Sequence, residues 1–301
     1  MKVAVIDLGT NTFHLIIAAR SGTELNVFYK TNIPVRLGEG RINENLIIPG
    51  AFERGLKALE QFSEEIKKHD VKVVKATATS AIRSADNGQD FISAAKSRSG
   101  IEITAITGDE EAEYIFKGVK ATGAIDRTSL IMDIGGGSTE FIICNEKELL
   151  WKKSYNIGAA RLMQAYFHTD PISKKDQASI IDHLDNELTD LKKQLDIYKP
   201  AQLIGSAGAF ETFAGMLRPE LDIKAVKSLP IAIDQYKTLS EKFIRSSHEE
   251  RKNMPGLISL RVDMIVMASI LTNYIIGLGD IEELSLSTYD LKMGVLESLL
   301  A

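Results

Sequence analysis

The 301-residue chain has a single cysteine, Cys144. That excludes an intramolecular disulfide and any cysteine-based zinc cluster. Cys144 lies in an apolar run, Phe141-Ile142-Ile143-Cys144, and reads as a buried, inert thiol. No Gly-Lys dipeptide occurs, so there is no P-loop, and the five scattered histidines include no pair at zinc-helix spacing. A Gly-x-Ser-x-Gly elbow is missing as well; Gly205-Ser206-Ala207-Gly208 falls one residue short. Long hydrophobic runs are scarce. The most apolar late stretch, Met264 to Leu278, is broken by Ser269, Thr272 and Asn273 and reads as a buried helix, too short and too polar for a membrane span. The chain opens directly on a strand pattern with no signal-peptide layout, so the cytoplasm is the expected compartment. A net charge of −5 argues against general binding to DNA or RNA. Length and composition fit two domains, each large enough to bury a core.

What the chain does have is a glycine turn between two apolar runs. Leu130-Ile131-Met132 leads into Asp133-Ile134-Gly135-Gly136-Gly137-Ser138-Thr139-Glu140, which leads into Phe141-Ile142-Ile143. This is strand, turn, strand. Successive backbone amides in such a turn form a concave nest suited to an anion. Asp133 and Glu140 would repel bare phosphate, so their presence makes sense if a metal ion or an attacking water stands between acid and phosphate. The same form occurs earlier, in Asp7-Leu8-Gly9-Thr10-Asn11-Thr12-Phe13-His14-Leu15-Ile16-Ile17. The offset is constant: 133 − 7 = 126 and 135 − 9 = 126. A duplicated half explains this better than two chance hairpins. Glu140 falls on His14, so the halves are not chemically equivalent.

Further along, Phe52, Leu56, Leu59, Phe62 and Ile66 mark a helix, and a strand at Val71–Val74 runs into Ala78-Thr79-Ser80-Ala81-Ile82-Arg83. Arg83, past a strand's C-terminal end, could offer its planar fork to phosphate oxygens; a solvated loop arginine is the alternative. Thr107-Gly108-Asp109-Glu110-Glu111-Ala112-Glu113 opens another helix. The dipole explains acids there, and spacing alone does not say which, if any, faces a cleft as a base. Ala121 to Arg127 reads as the crossing between domains. In the second half, Ile181, Leu184, Leu188, Leu191 and Leu195 form the stripe of one long helix that ends at Lys199-Pro200. Leu203-Ile204-Gly205-Ser206-Ala207-Gly208 is strand and turn before a helix, which suits an anion; tight strand–helix packing is the competing explanation.

Together these motifs resemble the actin, sugar-kinase and heat-shock-chaperone ATPase fold. Within it they are most similar to the exopolyphosphatase and guanosine pentaphosphate phosphohydrolase family. Arg36-Leu37-Gly38-Glu39-Gly40 and Asn156-Ile157-Gly158-Ala159-Ala160-Arg161-Leu162 add to the match. The resemblance implies an α/β protein: two ribonuclease-H-like α/β domains of the actin-like ATPase fold, residues 1–124 and 125–301, with a cleft between them and the last helix packing back near the hinge. It implies Mg2+ or another divalent cation, and removal of terminal orthophosphate from inorganic polyphosphate by water. The alternatives are guanosine pentaphosphate hydrolysis, as in the stringent response, a small-molecule kinase of the same fold, and a non-catalytic guanosine-nucleotide sensor. No nucleic acid or membrane partner is expected, and a homodimer is allowed.

Carried over by motif, Glu111 is the water-activating base, with Glu140 as a second catalytic acid. Asp133, Glu140 and Asp7 are the metal-side acids. Gly9, Thr10, Asn11, Thr12, Arg83, Gly135, Gly136, Gly137, Ser138, Arg161, Gly205, Ser206 and Gly208 are the phosphate-binding set. Two departures stand out. Asp290 and Lys292 occupy positions where the family has Gly and Arg, and the chain stops where longer members add helical domains.

Overall fold

The structure, a computed structural model, describes residues 1–22 and 24–300. Residue 301, the end of the second expected domain, lies outside them. By internal contacts the chain forms two compact units. One is Met1–Gly118 together with the C-terminal helix; the other is Val119–Asp290.

The first unit contains β1 (Val3–Leu8), β2 (Thr12–Ser21), β3 (Glu24–Pro34), α1 (Pro49–Lys68), β4 (Val73–Ala78), α2 (Ser80–Arg83), α3 (Gly88–Ser99), β5 (Ile103–Ala105) and, as far as Gly118, α4 (Gly108–Lys120). Its sheet order is β3-β2-β1-β4-β5, antiparallel from β1 to β3 and parallel from β1 to β5. β1 reads VAVIDL, apolar on both faces, because a central strand covered on both sides needs no polar face. Leu56, Leu59 and Phe62 of α1 pack into the core beside Phe91, whose ring meets Phe52 and Phe13 edge to face.

The second unit contains β6 (Ser129–Ile134), β7 (Thr139–Cys144), β8 (Leu149–Tyr155), α5 (Ala159–Tyr166), α6 (Lys174–Glu187), α7 (Thr189–Tyr198), β9 (Gln202–Ser206), α8 (Gly208–Leu217), β10 (Ser228–Ile231), α9 (Ile233–Arg245), α10 (His248–Lys252), α11 (Met264–Leu278) and β11 (Glu283–Ser287). Read from β8, its sheet runs β8-β7-β6-β9-β11-β10. The first five strands repeat the first unit's order and directions, and β10 adds an antiparallel edge. The repeat extends to irregularities. The ladder of β2 with β3 shifts between Ile17 and Ala18, and that of β7 with β8 between Ile143 and Cys144. The offset is again 143 − 17 = 126. Cys144 is buried, and burial pushes its thiol up to about 12, so it stays protonated.

One sequence expectation needs correction, and two short elements went unread. The single long helix is two, α6 and α7, parted at Leu188, whose backbone (φ −96°, ψ 20°) leaves the helical range. The apolar stripe hid the break, since Leu184, Leu188, Leu191 and Leu195 are buried on both sides of it. β10 went unread; it contains Pro230, tolerated here on an edge strand. The other is α10, started by a Ser247–Glu250 capping box with Ser-x-x-Glu spacing. Among the described residues no helix is long and apolar enough to cross a membrane.

The last helix, α12 (Leu291–Leu300), belongs to the first unit, where it packs on β1 and β2. It also meets α4 backbone to backbone at Gly294, where an added Cβ would lie 1.7 Å from the Tyr114 carbonyl oxygen. Gly294→Ala should therefore force α12 away from α4 and cost about 1–3 kcal/mol, the usual scale of overpacking. Thermal denaturation checks this; an unchanged midpoint would show that α12 is free to shift.

Candidate phosphate and metal site

The two glycine turns are built alike. The Gly9 N–H donates to the Thr12 carbonyl (3.2 Å) and the Gly135 N–H to the Ser138 carbonyl (3.0 Å). At either glycine a Cβ would come within 2.9 Å of that carbonyl, so the turn itself requires glycine. In both units a following segment ties down the turn's carbonyls. The Thr10 carbonyl accepts from Gly38 N–H, and the Asn11 carbonyl from Val35 and Arg36 N–H. In the second unit the Gly135 carbonyl accepts from Ala159 N–H (2.9 Å), and the Gly136 carbonyl from Ala160 (2.9 Å) and Arg161 (3.2 Å). The buried Arg161 adds a bond from Nε to the Gly137 carbonyl (3.0 Å), which makes it a brace of the turn. Among the described residues no acceptor takes the Gly136, Gly137 or Ser138 N–H. With the carbonyls held by the protein, those three amides are the nest's donors.

Asp133 and Glu140 stand directly opposite each other in the β6–β7 ladder, as Asp7 and His14 do in β1–β2. Ser206 Oγ donates to Asp133 Oδ2 (2.8 Å) and Ser154 Oγ to Glu140 Oε1 (2.6 Å). Opposed like charges destabilise a ladder, and a cation would relieve them. Among the described residues no group of three or more His, Cys, Asp or Glu side chains could hold a metal ion. The donor set here is therefore two carboxylates. That suits Mg2+, which keeps several waters and takes one or two protein carboxylates.

In the first unit the three glutamates of α4 separate by partner. Glu110 Oε2 accepts from the Thr107 N–H (2.8 Å) and hydroxyl (2.9 Å), and Glu110 N–H returns a bond to Thr107 Oγ1 (3.1 Å). This is a capping box, and the Thr107 backbone N–H foremost holds the exposed Glu110 carboxyl below its ordinary range. Glu113 pairs with Lys117 along the exposed face (3.3 Å). Glu111 alone is buried, 7% exposed, with Oε2 at 2.8 Å from Arg83 Nη1. Arg83 is fixed in turn by a bond from Nη1 to the Ile106 carbonyl (3.0 Å). The structure thus brings together Arg83 and Glu111, which 28 residues separate in sequence.

After β9 the glycines divide. An added Cβ at Gly205 would lie 2.0 Å from the Phe210 ring, so packing accounts for this glycine. Gly208 takes φ +51°, and Ala207 before it also has positive φ (42°), an uncommon strain for a residue with a Cβ. Arg261 escaped the sequence reading. It lies in a short turn before α11, with Nη1 3.7 Å from where a Gly208 Cβ would be. It is half-buried, and its guanidinium makes no hydrogen bond or ion pair among the described residues. Burial lowers its pKa while Glu211 and Asp133 pull the other way, so it remains a desolvated cation beside the β9–α8 turn. Arg261 sits between Leu260 and Val262, outside any glycine-rich string that would draw notice.

Comparison with known proteins agrees with this architecture. A crystal structure of an exopolyphosphatase from Cytophaga hutchinsonii superposes with a TM-score of 0.96 at 36% identity, covering 100% of this chain and 98% of that one. An Aquifex aeolicus PPX-GPPA enzyme gives 0.83 at 25% identity over 99% of each chain. A Haemophilus influenzae protein named as a candidate exopolyphosphatase is 28% identical over 99% of this chain and 91% of its own. A guanosine-5'-triphosphate,3'-diphosphate pyrophosphatase of Pseudoalteromonas translucida is 27% identical, and this chain spans 59% of its length. Residues 15–301 match the model of the Ppx/GppA phosphatase family, and with paired glycine turns on duplicated sheets the chain belongs to that family.

Proposed function

We propose that the protein removes terminal orthophosphate from inorganic polyphosphate by attack of water on a phosphoanhydride. The observation that supports this most is the buried Glu111 carboxylate held by Arg83, while its neighbours Glu110 and Glu113 are occupied elsewhere. In-line attack on phosphorus needs an oriented water, and a fixed carboxylate suits that task. Arg83 serves phosphate oxygens and also sets the Glu111 side chain. The amides of Gly136, Gly137 and Ser138 cradle phosphate, as does the first turn at Gly9, Thr10, Asn11 and Thr12. Arg261 adds positive charge, and the Gly208 turn adds the first backbone amides of α8. Asp133 and Glu140 would hold Mg2+, and the bound ion would neutralise charge developing on the phosphoryl group. A cytoplasmic setting is part of this reading.

Guanosine pentaphosphate is the second candidate substrate, because relatives of both names match most of this chain. Phosphate release from each, with Mg2+ and with chelator, separates the two. The expected outcome is faster release from polyphosphate and none after chelation. Release only from guanosine pentaphosphate would move the assignment.

Glu111→Gln should lower kcat by about 10²-fold or more, the scale of a lost acid–base group. Glu110→Gln should stay within a few-fold, since it touches only the helix cap. Equal losses would mean that Glu111 is not the base. Arg83→Ala should raise KM and also lower kcat, because Glu111 loses its anchor; an unchanged KM would remove Arg83 from phosphate binding.

A further inference from the structure

Arg251 is fully buried, yet it is an arginine and lies outside every motif the sequence draws attention to. Its Nε donates to the Val262 carbonyl (2.7 Å), Nη1 to the Ser246 carbonyl, and Nη2 to Asp170 Oδ1 (2.9 Å) and Asp263 Oδ1 (3.3 Å). The Phe167 ring lies 5.7 Å from the guanidinium carbon. Two of these partners are cross-linked again through His248: its Nδ1 meets Asp263 Oδ1 at 2.6 Å, and its N–H donates to Asp170 Oδ2. One guanidinium therefore joins the loop between α5 and α6, the start of α10, and the two residues that follow Arg261.

Buried ion pairs are seldom the best way to stabilise a core, since well-packed apolar groups of like volume often do as well or better. What a guanidinium fork supplies is geometry: several bonds in fixed directions. Here they end on Val262 and Asp263, while Arg261 makes no hydrogen bond or ion pair from its own side chain. The position of the Arg261 charge is thus set by the backbone just after it. We propose that Arg251, through Val262 and Asp263, is a positioning residue that aims Arg261 at the β9–α8 turn for substrate phosphate. This rests on the reading of Arg261 as a phosphate contact.

The test is steady-state phosphate release from polyphosphate with Mg2+, together with thermal midpoints, for Arg251→Lys, Asp263→Asn, Arg261→Ala and each of the first two combined with the third. Asp263 is partly exposed, so Asp263→Asn remains decisive if Arg251→Lys does not fold. Arg251→Lys and Asp263→Asn should each raise KM about tenfold, as expected for a displaced binding group. That loss should vanish in the Arg261→Ala background, because nothing is left to aim. Equal losses in both backgrounds would overturn the proposal, as would a lowered midpoint with unchanged KM. If Arg261→Ala alone leaves KM unchanged, the reading of Arg261 as a phosphate contact fails instead, and the proposal falls with it.

Discussion

The structure depends on one arrangement of hydrogen bonds: in each glycine turn the protein's own amides take carbonyl oxygens of the turn. Gly135 and Gly136 give theirs to the first amides of α5, and Thr10 and Asn11 give theirs to the segment after β3. A peptide carbonyl that is satisfied cannot face an incoming anion, and the amides of the same peptide planes point the other way. The sheets follow from this need. Each turn must close an antiparallel hairpin whose first strand is central, so that a parallel neighbour can end beside it. β4 with Thr79 does this in one unit and β9 with Ser206 in the other.

The halves then diverge in what surrounds that shared frame. In the second, opposed carboxylates Asp133 and Glu140 each accept a serine hydroxyl, a donor set that fits a hard cation. In the first, His14 stands where Glu140 does, and the carboxylate of interest comes from α4 instead. Duplication supplied two equivalent turns, and different side chains surround each. The family membership is consistent with anion donors at both turns, since a phosphatase must bind phosphate.

Much of this was legible because it is local. Asp-x-Gly turns between apolar runs, and their constant offset, announce the duplicated hairpins without any long-range information. What escaped depends on contacts between distant segments. Nothing near Arg261 or Arg251 in sequence hints that one lies beside the β9–α8 turn and the other braces it. The different settings of Glu110, Glu111 and Glu113 depend on their partners, Thr107, Arg83 and Lys117. Gly205 shows the reverse case: a glycine in a phosphate-like string whose lack of a side chain is explained by the Phe210 ring packed on it. The split between α6 and α7 was hidden because Leu188 keeps the apolar spacing while its backbone departs from the helix.

The central claim is that the turn's carbonyls face the protein and its amides face phosphate. Backbone-amide NMR of the Glu111→Gln variant, titrated with tripolyphosphate and Mg2+, tests it most directly. The account predicts that the Gly136, Gly137 and Ser138 resonances move in step with binding. Saturable binding that leaves these three amides unshifted would contradict it.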